Sequence, residues 1–485
     1  MTNLTRLFNG TVTYGLGSML TQLIGFLLLP IFTAYLSPAD YGVIAILGVI
    51  GFAAAPIFGL GIGAALGIVY FSEDSPTHKR EAVSTAVCLV AISASLLAAL
   101  GCIYSHQLSQ FAFNSPEYAW YVSVYLLGTA CGMITLILLL HLQLEERARL
   151  YVVLTVLVSL VTVCFNVVLV ILLEYGVAGW VIGSAAGQAV TCVVLLVTLL
   201  STTRFRLRMG LARQLLKIGV PLVPSFILLY VMAHSAKYTL QWMRSLEEVG
   251  IYDIGCRFGM VLALLVGAFT TAWYPYFQSF VNKRDEAREL FGCILTYYVA
   301  GFGSLCLLFF VFARPVVQLM TQPEFHAAYQ VIGFVAVSQL FIGVFSIFTT
   351  GVYYAKRVYL VSVIQFVCAV IVVLANFILI PRYGIVGAAI AIAGGYVLLG
   401  VLQQAANLLL KLWTPTYEWM RIVKLVLLFT IVAAGSTLLG NILSPVAYML
   451  LSPVIALILL FLVWQQLSAP EKGCIRERLR SAIGR

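Results

Sequence analysis

The chain has 485 residues, 62% of them hydrophobic and 9% charged, with a formal net charge of +10 and a mean hydropathy of +1.04. Soluble domains carry about 25% charged residues, so a folded surface this poor in charge is excluded from water and belongs in hydrocarbon. The apolar runs repeatedly exceed the ~18 residues of a helical crossing and do not alternate, which favours an α-helical membrane bundle over a β-barrel.

In chain order, helices are predicted near residues 8–36, 41–70, 82–104, 118–142, 150–173 and 176–202. A second group follows near 215–242, 249–280, 288–313, 326–353, 357–380 and 384–411, and two more near 418–441 and 445–467. The first carries only Arg6 ahead of a long apolar stretch containing Pro30, with no small-residue cleavage site. It is expected to be a retained helix and not a signal peptide. About fourteen transmembrane helices result.

The placement of charge agrees with that number. Of the 28 Lys and Arg residues, 23 fall in alternate loops and at the two ends, among them Lys79, Arg80, Arg147, Arg149, the run from Arg204 to Lys217, Lys283, Arg284, Lys356 and Arg357. The opposite loops hold Arg244, Arg314 and Arg382, and only Lys237 and Arg257 fall inside predicted spans. This asymmetry follows the positive-inside rule and places both termini in the cytoplasm of a multi-pass inner-membrane protein. It also explains the excess positive charge without a nucleic-acid partner. The ten cysteines lie almost all in apolar runs, as at Cys88, Cys131, Cys164, Cys192, Cys306 and Cys368. They form no CxxC pair and no His/Cys cluster, so they read as packing residues, and neither metal nor cofactor is expected.

The chain matches itself at an offset of about 208 residues. Gly42 in SPADYGV corresponds to Gly250 in SLEEVGI, and Arg80-Glu81 to Arg288-Glu289. Pro116-Glu117-Tyr118 corresponds to Pro323-Glu324-Phe325, and Tyr175-Gly176-x-x-Gly179 to Tyr383-Gly384-x-x-Gly387. Four matches in order predict two parallel six-helix lobes, residues 1–203 and 218–411. A basic connector (204–217) joins them, and a helix pair (412–467) and a basic cytoplasmic tail (468–485) follow. The connector RFRLRMGLARQLLK reads either as an amphipathic segment on the cytoplasmic leaflet or as a solvated linker. Transporters built from such repeats hold substrate between the lobes and rock one against the other.

An ionised group deep in a span costs ~2.5–3.5 kcal/mol on insertion scales and so marks a wet cavity or a partner. Lys237 shares a helical face with His234 and Gln241, while Asp253 and Arg257 lie four residues apart in the eighth span. Two readings stand for the cations. Either Lys237 and Arg257 present positive charge to a phosphate, or Asp253 neutralises Arg257 on its own helix and Lys237 snorkels to the interface. His234 reads as a proton-coupling group or, more commonly, as a packing histidine. Amides such as Gln22, Asn166, Gln365, Asn376 and Asn407 read as bridges between helices, and Trp273-Tyr274-Pro275-Tyr276 as part of an interfacial aromatic belt. No triad, carboxylate pair, Gly-rich phosphate loop or metal-ligand spacing occurs, so no enzymatic activity is expected.

Together these residues resemble the Wzx-type flippases, the polysaccharide-transport branch of the multidrug/oligosaccharidyl-lipid/polysaccharide exporter superfamily. The likeness covers nearly the whole chain. It is carried by LLLPIFTAYLSPADYGV between the first and second spans, AKYTLQWMRSLEEVGIYDIGCRFG between the seventh and eighth, Trp273-x-Pro275, and the two Tyr-Gly-x-x-Gly turns. The resemblance implies an all-α, MATE-like fold that moves an undecaprenyl-diphosphate-linked oligosaccharide (an O-antigen, capsule or exopolysaccharide unit) outward by alternating access. It implies further that Lys237 and Arg257 hold the diphosphate, with His234, Gln241 and Asp253 as auxiliaries, and that the last two helices guide the lipid tail. Implied partners, besides membrane lipids, are a polysaccharide polymerase and a chain-length regulator. Ala34 and Gly67 stand where relatives often carry arginine, which confines the implied positive charge to the second lobe.

Three alternatives are weaker. A drug/cation antiporter of the same superfamily calls for acidic cavity residues, and Asp253 is the one evident candidate. A fourteen-span major-facilitator antiporter calls for a DRxGRR-like loop, which SEDSPTHKREA lacks. A membrane glycan polymerase or transferase calls for a large charged extracytoplasmic loop, and the outer loops are short.

Overall fold

A computed structural model describes residues 20–145, 147–200 and 207–466. Arg6, Arg204, Arg206 and the basic tail from residue 468 onward lie outside the described residues. Among the described residues every regular element is helical. The first half comprises α1 (Leu20–Tyr35), α2 (Pro38–Gly59), α3 (Ile62–Tyr70), α4 (Pro76–Ile103), α5 (Ser105–Phe113), α6 (Ala119–Leu144), α7 (Ala148–Val167) and α8 (Gly176–Leu200). Then come α9 (Met209–Gly219), α10 (Val223–Met243), α11 (Leu246–Gly259), α12 (Val261–Ser279) and α13 (Glu286–Met320). The last are α14 (Tyr329–Phe348), α15 (Thr350–Tyr354), α16 (Tyr359–Leu409), α17 (Trp419–Ile442) and α18 (Pro445–Gln466).

Among the described residues, ten helical stretches are long and apolar enough to cross a membrane, or eleven when α11 and α12, bent by 45°, form one crossing. The 51 residues of α16 are interrupted at Gly384, whose φ of +55° no continuous helix contains, so α16 supplies two apolar segments. Shorter apolar helices stand at each end of the described chain, in α1 and α18. Among the described residues the apolar segments counted this way, the shorter ones and both parts of α16 included, number fourteen. Large apolar side chains such as Phe52, Ile103, Leu172, Leu409 and Leu450 are exposed, as lipid-facing surfaces require.

The repeat is written into the backbone. Pro116-Glu117-Tyr118 and Pro323-Glu324-Phe325 each open a 3-10 turn, because proline fixes φ and needs no N–H partner at a helix start. The first glycine of each Tyr-Gly-x-x-Gly motif is left-handed, Gly176 at φ +54° and Gly384 at φ +55°. At the head of α2, Ser37 and Asp40 form a capping box: Ser37 Oγ accepts from the Asp40 N–H at 3.2 Å, and Asp40 accepts from the Ser37 N–H at 2.9 Å. The same helix meets α11 through repeat-related glycines. A Cβ on Gly42 would lie 1.9 Å from the Leu246 carbonyl oxygen, and one on Gly250 would lie 1.9 Å from the Pro38 carbonyl oxygen. Exchanging 38 with 246 and 42 with 250 maps this contact onto itself, as a local two-fold relation at offset 208 requires.

Two compact units result, Met1–Asp253 with Ala369–Ala388, and Ile254–Cys368 with Ala389–Arg485. In the first, α6 packs on α4 and α8, α10 packs on α2, and α9 packs on α3. The described part of the connector is amphipathic: Leu211, Ala212 and Leu215 of α9 are buried, and Arg213 and Lys217 are exposed. In the second, α13 packs on α14 and α17 around Trp273, Phe277, Phe291 and Tyr298. Trp273, read from sequence as interfacial, is 4% exposed, and its indole N–H donates to the Ser346 carbonyl at 3.2 Å. The tryptophan of this motif is therefore a core residue, while Tyr274 and Tyr276 remain exposed.

Candidate functional site

Two of the charged span residues, Lys237 and Asp253, meet on a helical hairpin in the first unit. α10 ends at Met243, the chain turns at Arg244 and Ser245, and α11 begins at Leu246. Lys237 and Asp253 each lie eight residues from Ser245, so antiparallel helices bring them to one level. Lys237 Nζ donates to Asp253 Oδ1 at 2.5 Å, with the two side chains 13% and 7% exposed. Asp253 is thus engaged across the hairpin by Lys237, besides lying one turn from Arg257 on its own helix. The physical reason is desolvation: two opposite charges buried at one depth gain more from each other than from any remaining contact with solvent.

Arg244 pins the turn. Its Nε and Nη2 donate to the carbonyls of Ile380 (3.3 Å) and Pro381 (2.8 Å), just before the break at Gly384. A guanidinium there complements the negative end of a helix dipole. Arg244 also pairs with Glu248 at 3.8 Å, one turn into α11.

The other expected site residues are placed as follows. His234 stacks on Phe52, with centroids 5.4 Å apart and planes at 11°, and lies against Tyr230 at 4.9 Å. Its Nδ1 is buried and has no hydrogen-bond partner among the described residues. Tyr230 in turn donates to the Val49 carbonyl. Gln241 donates to the Phe113 carbonyl at 3.4 Å and leaves its own carbonyl oxygen buried and unpartnered among the described residues. Arg257 lies one turn past Asp253 on α11, and its side chain is exposed. The structure therefore joins Lys237 to Asp253 and lines His234 and Gln241 along the same helix, with Arg257 exposed one turn beyond Asp253. Asn376 donates to Ser235 Oγ at 3.0 Å and Asn407 to the Phe348 carbonyl at 2.8 Å, so these amides bridge helices. Among the described residues no group of three or more His, Cys, Asp and Glu is arranged to hold a metal.

A cavity of about 650 Å³ that sequence gave no sign of lies beside the hairpin. Apolar side chains of α2, α4 and α5, including Val49, Ile50 and Leu97, form most of its wall, and α10 adds Tyr230, His234 and Tyr238. Such a wall suits hydrocarbon and offers almost nothing to a hydrated ligand.

Residues 7–281 match the sequence model of a family described as polysaccharide biosynthesis protein. Over 156 residues the chain is 26% identical to a probable lipid II flippase MurJ of Borreliella burgdorferi, a stretch that is 31% of this chain and spans about a third (31%) of that relative's length. Among solved structures, it is similar to lipid II flippase MurJ in an inward closed conformation, with a TM-score of 0.72, 14% identity, and coverage of 94% of this chain and 99% of that one. It is also similar to an inward-facing multidrug resistance MATE family transporter of the MOP superfamily (TM-score 0.63, 15% identity, 83% of this chain and 95% of that one). A third similarity is to the Vibrio cholerae MATE transporter VcmN in its bent form, at TM-score 0.53 and 18% identity, covering 83% of this chain and 96% of that one. At these identities the structural likeness is one of fold.

Proposed function

The chain belongs to the polysaccharide biosynthesis protein family, and from that premise we propose that it is a flippase for an undecaprenyl-diphosphate-linked oligosaccharide in the inner membrane. The observation that carries this reading is the Lys237–Asp253 ion pair buried among membrane helices, with the exposed Arg257 guanidinium one turn further along α11. A guanidinium suits a phosphate because it offers several donors in a fixed plane. Support also comes from the fold shared along 94% of the chain with a lipid II flippase. Arg257 binds the diphosphate directly, and Lys237 joins it by exchanging the Asp253 carboxylate for a phosphate oxygen. The glycan enters with the headgroup, the lipid tail stays in the bilayer, and rocking of the two six-helix lobes turns the bound cargo outward.

The drive is electrical. A diphosphate diester carries about two negative charges, and moving them outward across an inside-negative membrane gains at most ~4–5 kcal/mol per 100 mV. Bound cations lower that figure by reducing the net charge moved. The polymerase and the chain-length regulator would then receive the cargo on the outer face.

The test is deletion of the protein in its native cell, followed by analysis of lipid-linked saccharides by leaflet. Accumulation on the cytoplasmic side, reversed by the wild-type chain, is the expected result. Arg257→Gln is expected to restore roughly 10-fold less transport or worse, the loss of a charged hydrogen bond. Equal rescue by Arg257→Gln would remove Arg257 from the site.

A further inference from the structure

A second cavity, of about 660 Å³, opens beside the far end of α10. Its wall combines two chemistries that a lipid-facing surface has no use for together. The first is a set of polar side chains, His106, Gln107, Gln110 and Asn114, presented along one face of α5 and its C-cap. All four are exposed, and among the described residues none of these side chains is engaged in a hydrogen bond, so their donors and acceptors stay available. The second is a group of aromatic rings, Phe111, Tyr238 and Trp242. Phe111 is 71% and Trp242 60% exposed, and Tyr238 stacks on Phe111 at 5.4 Å and 27°. The Tyr238 hydroxyl donates to the Phe111 carbonyl at 2.9 Å, and the Gln241 amide donates to the Phe113 carbonyl, so α10 holds α5 from behind.

We propose that this cleft is a saccharide subsite on the extracytoplasmic side, taking an uncharged part of the glycan after it has been turned outward. No Asp, Glu, Lys or Arg lines it, so it holds no carboxylate, ammonium or guanidinium of the kind that anchors a charged headgroup. A sugar ring needs both of the chemistries present: amide groups for its hydroxyls and aromatic faces for its apolar C–H surface. The volume falls in the ~300–1,000 Å³ range of small-molecule sites. Phe111 and Tyr238 also border the apolar cavity beside the hairpin, whose wall gives a hydroxylated ligand almost no partners, which favours the outer cleft for the saccharide. The side follows from charge: the segment from 105 to 118 holds no Lys or Arg and belongs to the poorly charged set of loops. The subsite depends on the flippase reading and adds to it the place where the sugars are read.

Position-specific photo-crosslinking in the full chain tests it. p-Benzoylphenylalanine is placed singly at Trp242, Gln110 or Arg257 in the native cell, and adducts are identified by mass spectrometry of sugar-derived fragments. The expected result is capture of lipid-linked saccharide at 242 and 110, severalfold above cells lacking the first sugar-phosphate transferase of that glycan. Capture of the saccharide at 257, with phospholipid alone at 242 and 110, overturns the subsite and leaves the flippase reading intact. Absence of saccharide adducts at all three positions overturns both. As a functional readout, Trp242→Ala should slow translocation by roughly 2–10-fold, the worth of an aromatic contact, and Trp242→Tyr should retain the rate. An unaltered rate in Trp242→Ala together with Gln110→Ala would also contradict the subsite.

Discussion

Lys237→Met is expected to destabilise the protein by about 3–5 kcal/mol, because it breaks a buried ion pair by removing the ammonium from the Asp253 carboxylate in a nearly dry site. That is a large share of the ~5–15 kcal/mol by which folded proteins are stable. The loss should appear as a lower thermal midpoint and a smaller monodisperse fraction in detergent. The double variant Lys237→Met/Asp253→Leu removes both charges at once, and most of the stability should return, since an apolar pair can replace a buried ion pair at little cost. Stability and transport then part company. If Lys237 serves the diphosphate as proposed, the double variant folds and still fails to transport. A double variant that folds and transports normally would assign the pair to architecture alone, and a stable single variant would contradict the ion pair itself.

The second large effect is expected at the crossing of α2 and α11. Gly42→Val sets a branched side chain where a Cβ alone lies 1.9 Å from the Leu246 carbonyl oxygen, and Gly250→Ala sets a methyl group equally close to the Pro38 carbonyl oxygen. The obstructing atom is backbone in each case, so no rotamer change relieves it and the helices must part. Overpacking of this kind costs about 1–3 kcal/mol, which shifts a two-state population by a factor of roughly 5–150. Spin labels at Ala39 and Glu247 read the separation. The wild type should give a short distance and both variants a longer one, with a matching fall in transport. An unchanged distance distribution in either variant would show that the crossing is not held by these glycines.

Much of this architecture is legible in sequence because hydrocarbon imposes a simple rule, long apolar runs bounded by loops that alternate in basic charge. The offset of 208 is legible too, since the turns need particular residues. Gly176 and Gly384 must be left-handed, and the prolines at 116 and 323 must open helices. What periodicity cannot show is which helices touch. Asp253 and Arg257, four apart on one helix, are legible as neighbours, whereas the bond of Asp253 to a lysine 16 residues earlier is not. A signal for it does exist, in two opposite charges equidistant from the turn at Ser245, but it needs the turn to be known first. The aromatic and amide cleft is harder still, because Gln107, Gln110 and Asn114 look like ordinary loop polarity until α5 folds their face against Tyr238 and Trp242. Trp273 fails in the opposite sense: its neighbours look interfacial, and only the packing of α13 and α14 places its ring inside a core.

Translocation itself can be measured in reconstituted vesicles loaded with the native lipid-linked saccharide and treated with a membrane-impermeant glycan-cleaving enzyme. The purified chain should expose the inner-leaflet pool, so that nearly all the saccharide is cleaved, while protein-free vesicles lose only the outer-leaflet share. Cleavage that stops at the outer-leaflet share with the folded protein present, under an imposed membrane potential of either sign, would contradict the proposal that this chain is a flippase.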